Sequence, residues 1–277
     1  MIGARLCGVR ARVCAVGVAL AIGAFSGQLL ASPEVDRLQD LAVKGDQAAL
    51  STLIELARKQ KDADAEYALG MMAYEGRGLA ANWKQAFGLV ERAAAKGHAE
   101  AANLLGFFHE HGIGTPADPR RALDAYRRGS EAGSARARTN LGWYYEKGIA
   151  VDKDPAAAAA WYKLAAEQGL AAAHANLAAL YQSGTGVPRN DIIAVALYER
   201  AAAGGMMTAA LSLGRLLIAP ENPRRNIEQG VHWLEEAASR GSIDALLLLA
   251  TMFEKGDGVS ADPARSAGYA GRAAALR

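Results

Sequence analysis

The chain has 277 residues and a formal net charge of +2, with basic and acidic side chains in almost equal number. A nearly neutral chain provides no electrostatic footprint for nucleic acid or for an anionic membrane, so the composition argues against both partners. Its only two cysteines, Cys7 and Cys14, lie near the N-terminus.

Residues 1–31 have the layout of a secretory signal peptide. Three arginines precede an apolar run at 13–25, which is shorter than the roughly 20 residues of a transmembrane helix. Cleavage is predicted between Ala31 and Ser32. It would remove both cysteines and all three arginines, leaving a net charge of −1 and no thiol for disulfides or metal sites. The arginines are Arg5, Arg10 and Arg12.

This segment predicts a periplasmic or secreted protein with no membrane insertion after cleavage. Two alternatives stay open. An uncleaved signal would anchor the chain in the inner membrane, and a misread signal would leave a cytosolic protein.

Residues 32–63 predict two short helices that cap the N-terminal end of a larger array. Leucines recur at helical spacing on both sides of the break at Lys44-Gly45-Asp46, but out of phase with the rest of the chain. An atypical first helix pair covers apolar surface that no neighbouring repeat covers.

From Asp64 onward the sequence repeats every 36 residues. Three markers keep this spacing, which is strong evidence for a repeat array. The first is a pair at Leu69-Gly70, Leu105-Gly106, Leu141-Gly142, Leu177-Ala178, Leu213-Gly214 and Leu249-Ala250. The second is a loop glycine at Gly76, Gly112, Gly148, Gly184 and Gly256, replaced by Pro220 in repeat five. The third is a closing glycine at Gly97, Gly133, Gly169, Gly205 and Gly241.

Each repeat predicts two helices joined by a glycine loop. The second helix starts at an Asn or Asp, whose side-chain oxygen accepts a hydrogen bond from an otherwise unpaired backbone N–H. These N-cap residues are Asn82, Asp118, Asp154, Asn190, Asn226 and Asp262. The predicted repeats are 64–99, 100–135, 136–171, 172–207, 208–243 and 244–277.

The segments LGWYYEKG at Leu141–Gly148 and LAALYQSGTGVP at Leu177–Pro188 resemble the Sel1-like repeat, a relative of the tetratricopeptide repeat. The resemblance implies an all-α fold, an α/α right-handed superhelical solenoid of six helix pairs. It also implies an interaction domain rather than an enzyme. Two departures are expected to matter: the loop at Pro220 should be rebuilt, and the last repeat has no capping helix, so its exposed face is a candidate for self-association.

By analogy with tetratricopeptide repeats, the first helix of each repeat lines a concave groove. Aromatic and arginine side chains, which are enriched at binding hot spots, fall on this face in repeats one to three. Repeat four carries neither type at the equivalent positions. The alternative is that the aromatic rings only pack between neighbouring first helices. The predicted partner-binding residues are Tyr67, Met71, Tyr74, Asn103, Phe107, His111, Arg136, Trp143 and Lys147.

No catalytic site, metal site or cofactor is predicted. The five histidines are scattered, and the Gly-x-Gly loops follow helices, whereas nucleotide-binding glycine loops follow a strand. The sequence has no Gly-x-Ser-x-Gly, His-Glu-x-x-His or Ser-x-x-Lys motif.

The function predicted from the sequence is an exported scaffold, not an enzyme, that binds a protein or peptide segment in its groove. An envelope assembly factor or a regulatory factor would fit this description. The alternative is a hydrolase acting on cell-wall material or β-lactams.

Overall fold

The computed structural model describes residues 32–277, so the predicted signal peptide lies outside the described residues. These residues form fourteen α-helices and no strand, which confirms the all-α prediction. The helices are α1 (Pro33–Val43), α2 (Gln47–Glu55), α3 (Ala63–Glu75), α4 (Trp83–Ala95), α5 (Ala99–His111), α6 (Pro119–Glu131), α7 (Ala135–Lys147), α8 (Pro155–Ala166), α9 (Ala171–Ser183), α10 (Asp191–Ala203), α11 (Met207–Ile218), α12 (Ile227–Ser239), α13 (Ile243–Lys255) and α14 (Pro263–Ala275).

From α3 onward the helices pair in order, and each pair packs on the next to form a solenoid. All six second helices start at the predicted Asn or Asp, whose side-chain oxygen accepts a bond from a backbone N–H two or three residues later at 2.9–3.1 Å. The backbone N–H of the same residue donates to a carbonyl nine residues earlier, in the last turn of the first helix. This double anchor fixes where each second helix begins.

The Leu-Gly pair lets the two helices of a repeat approach closely. Leu141 is buried, and a Cβ added to Gly142 would lie 2.5 Å from the ring of Tyr162 on α8. Gly106 faces Tyr126 in the same way, also at 2.5 Å. Because glycine has no side chain at this point, a tyrosine ring packs directly against the backbone of the neighbouring helix.

The second glycine of each Gly-x-Gly loop lies against the preceding helix pair. A Cβ on Gly114 would lie 2.3 Å from the carbonyl oxygen of Trp83, and one on Gly186 would lie 2.3 Å from the carbonyl carbon of Pro155. Both glycines have positive φ, 70° and 73°. Ala150 takes this position in repeat three and keeps a positive φ of 57°.

The loop of repeat five is rebuilt, as the sequence predicts. Asn222 is buried there, with its Nδ2 donating to the carbonyl of Leu216 at 2.6 Å and its Oδ1 accepting from the backbone N–H of Arg224 at 2.9 Å. Its two side-chain bonds hold a loop that lacks the usual glycines. Asn226 still caps α12, so the helix pair keeps its register.

The two ends of the array differ. At the N-terminal end, α1, α2 and a π-helical turn at Leu56–Gln60 share a buried apolar cluster with α3 that includes Val35, Leu53 and Leu69. At the C-terminal end, Ala273 is the one buried residue of α14. Self-association through this face stays a prediction.

Within residues 32–277, no helix is both long enough and apolar enough to cross a membrane.

Candidate functional site

The groove surface is the set of nine predicted residues on α3, α5 and α7. Two ring contacts join the α3 part of this surface to α5 and its N-cap: Tyr67 lies 4.5 Å from His98, the N-cap residue, and Tyr74 lies 6.3 Å from Phe107, between ring centroids. Helices α5 and α7 contact each other directly. Side chains from three successive repeats therefore form one continuous surface.

The four aromatic residues of the groove surface are buried to different extents. Tyr67, Tyr74 and Trp143 are half-buried, whereas Phe107 is only 8% exposed and packs beside Phe108. For Phe107 the structure thus agrees with the alternative, packing between neighbouring helices. Burial and the carboxylate of Glu100 raise the pKa of Tyr67, so its phenol stays protonated.

Polar side chains link α5 to α7 across the repeat boundary. The guanidinium of Arg136 lies 3.2 Å from the carboxylate of Glu100, which also accepts a hydrogen bond from the Ser134 hydroxyl at 2.7 Å. The Nδ2 of Asn140 donates to the Oδ1 of Asn103 at 2.9 Å. These bonds restrict the side chains of Asn103 and Arg136.

The remaining predicted residues lie along the same helices. Met71 is half-buried on α3. His111 is exposed at the end of α5, where its Nδ1 lies 3.1 Å from the carbonyl oxygen of Phe107 and its ring lies 4.3 Å from the Phe107 ring. Lys147 is exposed and pairs with Glu146. In repeat four the equivalent positions carry Ala172, Ala175, Ala179, Gln182 and Ser183, and Ala172 and Ala175 are buried.

His98 has a structural role that the sequence reasoning missed. Its Nδ1 accepts a hydrogen bond from the backbone N–H of Ala101 at 3.0 Å, so it serves as the N-cap of α5. Its Nε2 lies 3.5 Å from Oδ1 of Asp64. Burial lowers the pKa of His98, and the nearby Asp64 carboxylate partly offsets this effect. Serine occupies the equivalent position just before α7 and just before α13, where it caps the helix. This shared position is the indication in the sequence that His98 caps α5.

A second missed feature joins the two helices within each of repeats two to four. The hydroxyl of Tyr126 donates to Glu110 at 2.7 Å, that of Tyr162 to Glu146 at 2.9 Å, and that of Tyr198 to Gln182 at 3.1 Å. Burial and the adjacent carboxylate raise the pKa of Tyr126 and of Tyr162. In each pair the tyrosine lies 16 residues after the residue that accepts its hydrogen bond. This constant spacing is the signal in the sequence that could have revealed the contact.

Within residues 32–277, no group of three or more His, Cys, Asp or Glu side chains is arranged to hold a metal ion.

Comparison with protein families identifies the repeat. The model of the Sel1 repeat matches residues 63–98, 99–134, 135–170, 171–206, 209–242 and 243–277. No curated protein matches the chain.

Two solved structures are similar over most of the chain. A Sel1 repeat protein from Oxalobacter formigenes is 26% identical with a TM-score of 0.75, over 88% of this chain and 97% of that one. The protein c5321, a protective antigen of uropathogenic Escherichia coli strains with an SLR fold, is 25% identical with a TM-score of 0.77, over 87% of this chain. The match spans about half of the Escherichia coli protein, 53% of its length.

Proposed function

Because this chain belongs to the Sel1 repeat family, we propose that it is an interaction scaffold whose groove surface binds an extended segment of another protein. The observation that supports this function is the continuous surface of half-buried aromatic and polar side chains on α3, α5 and α7. Repeat arrays present extended concave surfaces of this kind to their partners.

The arrangement suggests how the partner is held. Tyr67, Tyr74 and Trp143 are only half-buried, and aromatic side chains bury large apolar areas at low entropic cost when a partner covers them. Asn103 and Arg136, fixed by Asn140 and Glu100, would meet the backbone or an acidic group of the bound segment. Phe107 supports the surface from beneath.

We further propose that the protein acts outside the cytoplasm, as an envelope assembly factor or a regulatory factor. The layout of residues 1–31 supports this location, and those residues lie outside the described part of the chain. Hydrolysis of a chromogenic β-lactam or of peptidoglycan by the purified protein would contradict the scaffold function.

The binding test uses the double variant Asn103→Ala/Trp143→Ala against the partner recovered by crosslinking in the native envelope. Loss of one hot-spot side chain typically costs about 2 kcal/mol, so we expect binding to weaken by at least about tenfold. The matched control is Lys84→Ala/Arg127→Ala, two exposed residues on second helices, which should bind as the wild type does. Equal affinity of the two double variants, both folded, would refute the proposal.

A further inference from the structure

The backbone nitrogen of Ser32 lies 2.6 Å from Oδ2 of Asp64 on α3. The Ser32 hydroxyl also caps α1 by accepting from the backbone N–H of Val35 at 3.3 Å. Ser32 therefore joins the first helix of the cap to the first helix of the array, and it is the residue that follows the predicted cleavage point.

The surroundings of this nitrogen carry an excess of negative charge. Burial and the carboxylates of Asp40 and Asp64 raise the pKa of Asp36. Among residues 32–277, no lysine or arginine forms an ion pair with Asp36 or Asp64. The nearest basic group to Asp64 is His98, which burial holds in its neutral form.

We propose that cleavage of the Ala31–Ser32 bond creates an α-ammonium group on Ser32 that forms an ion pair with Asp64 and fastens the cap to the first repeat. A signal peptidase would hydrolyse the amide, with one water molecule supplying the oxygen of the Ala31 carboxylate and the hydrogen that converts the Ser32 nitrogen to an amine. The amine then takes a proton from solvent. This inference rests on the export part of the proposed function.

Cleavage would strengthen the hydrogen bond between Ser32 and Asp64, because a charged ammonium donor replaces a neutral amide N–H. Charge-assisted hydrogen bonds are roughly twice as strong as neutral ones. An ammonium at the start of a helix is disfavoured by the helix dipole, but Glu34 and Asp36 in the first turn of α1, together with Asp64, offset that effect. The pair would thus balance charges that the unprocessed chain leaves uncompensated.

The test begins with the full-length chain, expressed with its own signal in a Gram-negative host and purified from the periplasm. Intact mass should show a chain that starts at Ser32. The α-amino group is then labelled by reductive methylation with ¹³C-formaldehyde and titrated by NMR. Its pKa should lie about one unit above the ordinary value of about 7.7–8.0.

The variant Asp64→Asn should return this pKa to the ordinary range, whereas the matched control Glu75→Gln, an exposed acid at the other end of α3, should leave it raised. A mature chain that starts elsewhere, for instance at Gly27 after the small-x-small sequence Ala24-Phe25-Ser26, would overturn the inference. Equal pKa values in the wild type and in Asp64→Asn would do so as well. Both results leave the export proposal intact. An uncleaved chain retained in the cytoplasm would contradict the export proposal and the ion-pair proposal alike.

Discussion

Replacing Gly186 with alanine tests why the loops of the array carry two glycines. Two costs arise at this position. A positive φ, here 73°, costs an L-residue roughly 1–2 kcal/mol. In addition, the new Cβ would lie 2.3 Å from the carbonyl carbon of Pro155 and 2.4 Å from its oxygen. Since these atoms belong to the backbone of α8, the helix pairs must move apart, at a further cost of about 1–3 kcal/mol.

Gly169 provides the matched control, because it has a φ of 83° and nothing within 4 Å of an added Cβ. Gly169→Ala should therefore lose only about 1–2 kcal/mol, and Gly186→Ala about 2–5 kcal/mol. Ala150→Gly should be neutral or gain up to about 1 kcal/mol, since it removes backbone strain but adds entropy to the unfolded chain.

The assay is thermal and urea unfolding followed by circular dichroism at 222 nm, with the three variants compared under identical conditions. The expected order of melting temperature is Ala150→Gly at or above the wild type, then Gly169→Ala, then Gly186→Ala. If Gly169→Ala and Gly186→Ala are destabilised equally, the close approach to α8 contributes nothing and the reasoning is wrong.

Two further predictions concern the polar groups. Tyr162→Phe removes the hydrogen bond to Glu146 and should cost about 1–2 kcal/mol in urea unfolding, whereas Tyr145→Phe, whose hydroxyl makes no hydrogen bond within residues 32–277, should cost almost nothing. Stability should also fall as the pH is lowered from 7 to 5. Burial lowers the pKa of three histidines below the ordinary value of about 6.5, so the unfolded chain takes up protons before the folded chain does. They are His98, His109 and His174. His98→Ser keeps the helix cap and should reduce this pH dependence; an unchanged pH profile in that variant would show that His98 does not contribute.

Much of the fold follows from local chemistry that is visible in the sequence. The Asn or Asp that starts each second helix needs only its own side chain and the next turn of backbone, so its position is predictable in all six repeats. The disruption of the loop in repeat five was also predictable, because Pro220 replaces the loop glycine. What the pattern did not contain was the residue that would rebuild it, Asn222.

The candidate site was less predictable, because its geometry depends on how the helices pack. Helical spacing placed Phe107 and Trp143 in one column, but only packing shows that Phe107 is buried while Trp143 is half-buried. His98 escaped notice as a cap because histidine is not among the residues that usually take that role. Likewise, the sequence did not indicate that Glu110, which lies 36 residues after Tyr74, accepts a hydrogen bond from Tyr126 of the same repeat.

The most direct test of the central claim is photocrosslinking in the native envelope. A photoreactive phenylalanine analogue placed at Met71, His111 or Lys147 samples the groove surface, and the same analogue at Lys84, Arg127 or Lys163 samples exposed positions on second helices. The groove function predicts one adduct of constant partner mass from the first three sites, absent from the other three and lost in the Asn103→Ala/Trp143→Ala background. Adducts from the second-helix sites alone, or adducts that persist in the double variant, would contradict it.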